Sequence, residues 1–168
     1  MNSMMLKSCA IAVVPSIMTL LLVQACGGSS DAVAQSTAPA ADPIEGVWES
    51  VITVRDCTSG AVVRTFMGMN KFERGGTLAA VNNLPFALNG PALGVWRKGA
   101  TAAGYSGQFR FYRFNMDGTP AGSQKLTHTI TLDATGNAST GTIAAQVLDL
   151  NDAVVGTICA VTANTRVY

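Results

Sequence analysis

Polar and apolar residues alternate along most of the chain beyond Pro43, and no stretch of helical period interrupts them. Runs rich in β-branched and aromatic residues are separated by breaks bearing Gly, Asn and Asp. The pattern predicts strands over Val47–Asp56, Ala61–Glu73, Thr77–Asn82, Leu93–Lys98, Tyr105–Met116, Ser123–Asp133, Thr140–Leu150 and Val154–Val167. Asp117-Gly118 is a strong hairpin signal. Eight consecutive strands joined mostly by tight turns predict an antiparallel up-and-down barrel, which removes its own edges by closing. A β-sandwich is the runner-up. The longest break, Asn83–Pro91, carries Leu84, Phe86 and Leu88, and in a barrel it either covers one mouth as a lid or plugs the core.

The pattern ahead of Pro43 is different. Lys7 precedes an apolar run from Ala10 to Val23, about 14 residues and short of the ~20 that span a bilayer as a helix. A positive charge, a short apolar segment and small residues read as an export leader, with an N-terminal membrane helix as the alternative. Leu22-Val23-Gln24-Ala25-Cys26 resembles the lipobox of bacterial lipoproteins. The resemblance implies a signal peptide over residues 1–25, acylation of Cys26 and a membrane partner reached through the lipid. Gly27 rather than Asp after the cysteine implies the outer membrane, facing periplasm or cell surface. Residues 26–42, rich in Ala, Ser and Gly, form the lipidated cysteine and a tether that cannot bury enough surface to order itself. The barrel domain is then residues 43–168.

Charge narrows the partners. Eleven Lys and Arg face ten Asp and Glu, and Lys7 belongs to the leader. Without Lys7 the chain carries no net charge, and lacking a basic cluster it has no electrostatic reason to seek nucleic acid or anionic lipid. Of four cysteines, Cys9 lies in the leader and Cys26 is the acylation candidate. Cys57 and Cys159 remain, an even pair in an oxidising compartment, and a disulfide is the default reading. Two unrelated buried thiols are the alternative. In a closed meander the first and last strands are neighbours. Direct opposition of Cys57 and Cys159 would set Arg166 opposite Ser50 and Tyr168 opposite Trp48, with the disulfide outside. Trp48 and Arg166 would be inward diagonal neighbours.

Gly46-Val47-Trp48 on the first strand matches the lipocalin Gly-x-Trp, and Arg166 on the last resembles the basic residue that packs across that tryptophan. The chain thus resembles a calycin, the superfamily of lipocalins and their relatives, and small uncharacterised lipoproteins of Gram-negative bacteria with the same Gly-Val-Trp-Glu start. A second Gly94-Val95-Trp96 has unmatched flanks and reads as repeated barrel geometry.

Chemistry is sparse. His128, the chain's only histidine, shares an inward face with Leu126, Ile130 and Leu132. It reads as a satisfied interior residue, and otherwise as a ligand contact, a haem or metal ligand, or a general base. The fifth strand places Phe109, Phe111 and Arg113 on one face and Arg110, Tyr112 and Phe114 on the other, so a bulge shifts the phase or one face meets a partner. Its arginines read as snorkelling side chains of a packed strand. Asp117 and Asp152 sit at turns. No catalytic constellation, metal or cofactor is called for. The leading functional expectation is a module binding a small apolar or amphipathic molecule, its site drawn from Trp48, Trp96, Phe109, Tyr112, His128 and Arg166. The alternative is a structural or interaction lipoprotein with a side-chain-filled barrel, and the third reading is an enzyme on the same scaffold.

Overall fold

The structure is a computed structural model that describes residues 40–85 and 89–167. The leader, Cys26 and nearly all of the tether lie outside the described residues, as do Phe86 and Leu88. Eight strands follow in chain order: β1 Gly46–Arg55, β2 Val62–Phe72, β3 Thr77–Asn82, β4 Ala92–Lys98, β5 Gly104–Phe114, β6 Pro120–Leu132, β7 Ala138–Leu148 and β8 Val154–Arg166. Each pairs antiparallel with the next, and β8 pairs with β1, so the sheet is a closed barrel. That last ladder excludes the sandwich.

Aspartates set the hairpins. Asp56, Asp117 and Asp149 each accept hydrogen bonds from backbone amides two or more residues on, at 2.7–3.1 Å. Asp133 takes the same role, accepting from the Ala138 amide at 3.2 Å. Short side-chain caps of this kind fix a turn without help from the rest of the fold. The Thr119 and Thr135 hydroxyls on Asp117 and Asp133, with these amide bonds and those on Asp56, hold the three carboxyls below their ordinary range. Four of the chain's carboxylates are thereby accounted for as turn-formers.

One expectation is corrected. Arg166, not Tyr168, lies opposite Trp48, and Cys159 pairs with Arg55 rather than Cys57. The ladder is shifted by two residues because β1 stops at Arg55. Cys57 lies beyond it, in the turn that Asp56 caps, and the chain turns back there. The Cys57–Cys159 disulfide forms nonetheless, with Cα atoms 5.2 Å apart. It sits outside the barrel, because a shift of two residues leaves every side chain on its original face.

The fifth strand carries the expected bulge. Register slips between Arg113 and Phe114, so Phe114 pairs with Pro120. Gly122 permits this, with a φ of 102° and the Leu148 carbonyl where a Cβ would stand. Tyr112 stays on the outer face, exposed, while Phe114 turns into the barrel lumen.

The two ends of the barrel differ. At the end where β1 begins, Trp48, Phe72, Trp96, Tyr105 and Leu132 fill the lumen with Ile44, which is fully buried. Phe72 and Trp96 meet edge-on at 6.3 Å, and Trp96 tilts on Tyr105 at 5.9 Å. Both indoles are satisfied by carbonyls, Trp48 by Ile44 at 2.9 Å and Trp96 by Glu73 at 2.8 Å. The Tyr105 hydroxyl donates to Asp42 at 2.5 Å, and Lys98 reaches the same carboxylate at 3.3 Å. Burial, then the Asp42 carboxylate, push the tyrosine hydroxyl's pKa up. Burial alone would raise Asp42, yet Tyr105, the Ile44 amide and Lys98 bring its carboxyl below the ordinary range. The segment ahead of β1 is thus pinned across this closed end.

Candidate functional site: a cavity at the open end of the barrel

The other half of the lumen is not filled. A cavity of about 290 Å³ opens where β1 and β5 end and β2 and β6 begin. Alternation along the strands places its walls. Ile52, Phe66, Phe109, Phe111, Leu126 and Ile143 supply most of the apolar lining. Leu84, Asn89 and Gly90 of the β3–β4 loop border the mouth, and Asn89 forms an isolated bridge with Arg113 of β5. The lid and plug readings of that loop turn on Phe86 and Leu88 as well, which lie outside the described residues.

His128 reaches the cavity from β6, between Gly107 of β5 and Ile143 of β7. Its imidazole shares a 3.0 Å hydrogen bond with Thr162 Oγ1. Asn164 Nδ2 donates to the same hydroxyl at 3.3 Å and to Ser139 Oγ at 2.9 Å. Room for the ring comes from Gly141, where a Cβ would lie 2.5 Å from His128 Nε2. Burial is the cause that pulls the imidazole down to about 4, so it is neutral at physiological pH. No charged group contributes to that shift. The imidazole's side-chain partner is the neutral Thr162 hydroxyl, and no carboxylate beside it raises its basicity among the described residues. Among the described residues no cluster of three metal-ligating side chains occurs.

The residues expected from sequence divide between several places. His128 and Phe109 line the cavity. Trp48, Trp96 and Arg166 lie in the closed end, where the Arg166 guanidinium stacks on the Trp48 indole. Tyr112 points outward. The structure brings the first two together and keeps the other four away from the cavity.

Sequence reasoning missed Arg64 and Arg113, the charged residues of the lining. Arg64 lies on the inner face of β2, in phase with Phe66, its guanidinium 5.6 Å from the Phe66 ring centroid. The alternation of β2, set against the inward Trp48 of β1, is the signal for it. Arg113 shares the inward phase of Phe109 and Phe111, and it lines the lumen rather than snorkelling from a packed strand. Among the described residues no acidic side chain lines the cavity.

No protein-family model matches the chain, and no curated protein matches it.

Proposed function

We propose that the chain is an envelope lipoprotein, anchored through Cys26, whose barrel binds a small apolar or amphipathic molecule in its open half. The cavity carries this reading. A barrel of eight strands is just wide enough to be filled by its own side chains or to hold one small ligand. Here the aromatic cluster fills the closed half and leaves about 290 Å³ in the other, walled by aromatic and aliphatic groups with a few polar ones. Such a lining is what ligand sites share. A filled scaffold barrel would need that half occupied as well.

The closed meander, the Gly46-Val47-Trp48 start and the Arg166 stack on Trp48 favour a calycin-like relationship. The leader, the lipobox-like Leu22–Cys26 and the Ala- and Ser-rich tether favour export and acylation, and Gly27 favours the outer membrane. Native mass spectrometry of the chain purified from its host tests the binding reading. A co-purifying small molecule is the expected result. Repeated recovery of the empty chain, with no thermal shift from apolar probes, overturns it. Metabolic labelling with a tagged palmitate tests the anchor. Label should enter the native chain and be absent from Cys26→Ser.

A further inference from the structure

The charge in the cavity narrows the ligand beyond what the apolar walls do, on the premise that the barrel binds a small molecule as proposed. Most arginines of the described residues have an acceptor. Arg55 bonds the Gly60 carbonyl, Arg74 pairs with Glu45, Arg110 with Asp152, and Arg166 with backbone carbonyls. Arg97 lies on the exposed outer face of β4. Arg64, exposed at the rim, and Arg113, half-buried, differ in facing the lumen. Both line one cavity, and among the described residues neither forms an ion pair or a side-chain hydrogen bond.

A guanidinium offers five donors in a planar fork and stays charged at any relevant pH. Half-buried and unpaired, as Arg113 is, it gains much from an anion with two oxygens. The lining is therefore electrostatically one-sided. It carries two cations, neutral amides from Asn70, Asn82 and Gln124, and a neutral His128. Their placement sets a direction. Arg64 and Arg113 stand near the strand ends that form the mouth, while Leu126, Ile143 and Ala160 line the interior.

We propose that the cavity takes an anionic amphiphile, its carboxylate or phosphate held at the mouth by Arg64 and Arg113 and its apolar chain directed inward toward His128. At ~30 Å³ per water-sized group, 290 Å³ suits a chain of roughly eight to ten carbons.

Calorimetric titration of the full chain carrying Cys26→Ser, with decanoate, decyl phosphate, decanol and decylammonium, decides it. The four share a tail and differ in head group. Decanol reports the apolar cavity alone. Decanoate or decyl phosphate should bind about tenfold or more tightly than decanol, and decylammonium more weakly than decanol. Whichever anion binds tighter separates a carboxylate ligand from a phosphate one. Arg64→Gln/Arg113→Gln should bring the anions to within about threefold of decanol, both measured on that variant. Equal binding of decanol and both anions by the unsubstituted cavity overturns the anionic assignment and leaves the apolar reading standing. Binding of none of the four overturns both. If the double variant does not fold, the head-group series decides alone, because it needs no substitution in the barrel.

Discussion

Arg166 lies directly across the β1–β8 ladder from Trp48, its guanidinium carbon 4.4 Å from the indole centroid. The same guanidinium donates to the Gly136 carbonyl at 3.1 Å, to the Glu45 carbonyl at 2.7 Å and to the Pro43 carbonyl. One side chain thus ties the first strand, the β6–β7 turn and the segment that crosses the closed end. A buried cation–π contact contributes about 0.5–2 kcal/mol, and each hydrogen bond to a charged donor about 1.5–3. Those bonds are partly exposed and not additive, so Arg166→Met should cost about 3 kcal/mol, read as a lower denaturant midpoint at unchanged slope. Arg166→Lys keeps the charge and loses the planar fork, and should recover less than half of that. A midpoint unmoved by Arg166→Met would show that the closed end holds without the staple.

The Cys57–Cys159 bond joins the β1–β2 turn to β8, across a sequence separation of 102 residues. Closing a loop of that size restricts the unfolded chain by about 4–5 kcal/mol. Domains of this size are stable by about 5–15 kcal/mol, so the reduced chain should remain folded with a thin margin. Guanidinium titration with and without reductant should show a shift of that order, with the near-ultraviolet signal of Trp48 and Trp96 retained before the transition. Loss of that signal on reduction alone would mean that the bond holds the barrel shut.

The barrel was legible because its information is local. Period-two alternation and Asp- or Gly-bearing turns are written within ten-residue windows, and the observed strands begin and end within about three residues of the expected ones. The β1–β8 register was not local. It depends on where β1 leaves the ladder, which Asp56 decides by capping a turn around Cys57. Pairing the cysteines directly therefore misplaced Arg166 by two positions while keeping it on the inner face. The candidate site was harder still. Trp48 and Trp96 resemble ligand contacts because they point inward, but alternation gives the face of a residue and not its height. Both stand at the filled end. Arg64 and Arg113 are in phase with inward aromatics, and the open half of the lumen that makes their charge consequential is a property of summed side-chain volumes.

His128 makes stability depend on pH. The folded imidazole titrates near 4 against an ordinary value of 6.5, because burial disfavours its charged form. The unfolded chain therefore takes up a proton near 6.5 that the folded chain resists until about 4. Stability is complete above the higher value and falls as pH drops through this window, by about 3 kcal/mol in all at 1.36 kcal/mol per unit. The lowered carboxyls of Asp42, Asp56, Glu73, Asp117 and Asp133 act from their ordinary values, 3.8 for the aspartates and 4.5 for Glu73, downward and shape the acid limb. His128→Gln should flatten the midpoint-against-pH curve between about 6.5 and 4.5 and leave its acid limb in place. A slope that survives this substitution would assign the proton elsewhere.

Glycine on the inner face opposes a large neighbour at several places along the barrel. Gly46 faces Phe72, Gly94 faces Phe109 and Gly107 faces Trp96 across their ladders. The repeated Gly-Val-Trp is this device used twice, a missing side chain followed two residues later by an inward indole. A Cβ at Gly94 would stand 2.0 Å from the Gln108 carbonyl oxygen and 2.5 Å from the Phe109 Cα, both backbone atoms that cannot move without parting β4 from β5. At Gly156 the nearest atoms are side-chain carbons of Val147 at 3.8 and 3.9 Å, ordinary contact. Overpacking costs about 1–3 kcal/mol where side chains can shift, and more where a ladder must yield. Gly94→Ala should therefore lower the unfolding midpoint by the equivalent of at least about 3 kcal/mol or prevent folding, while Gly156→Ala should stay within about 0.5 kcal/mol of the native chain. Thermal unfolding of the two variants side by side reads the difference. Equal midpoints would mean that β4 and β5 lie farther apart at Gly94 than the barrel geometry requires.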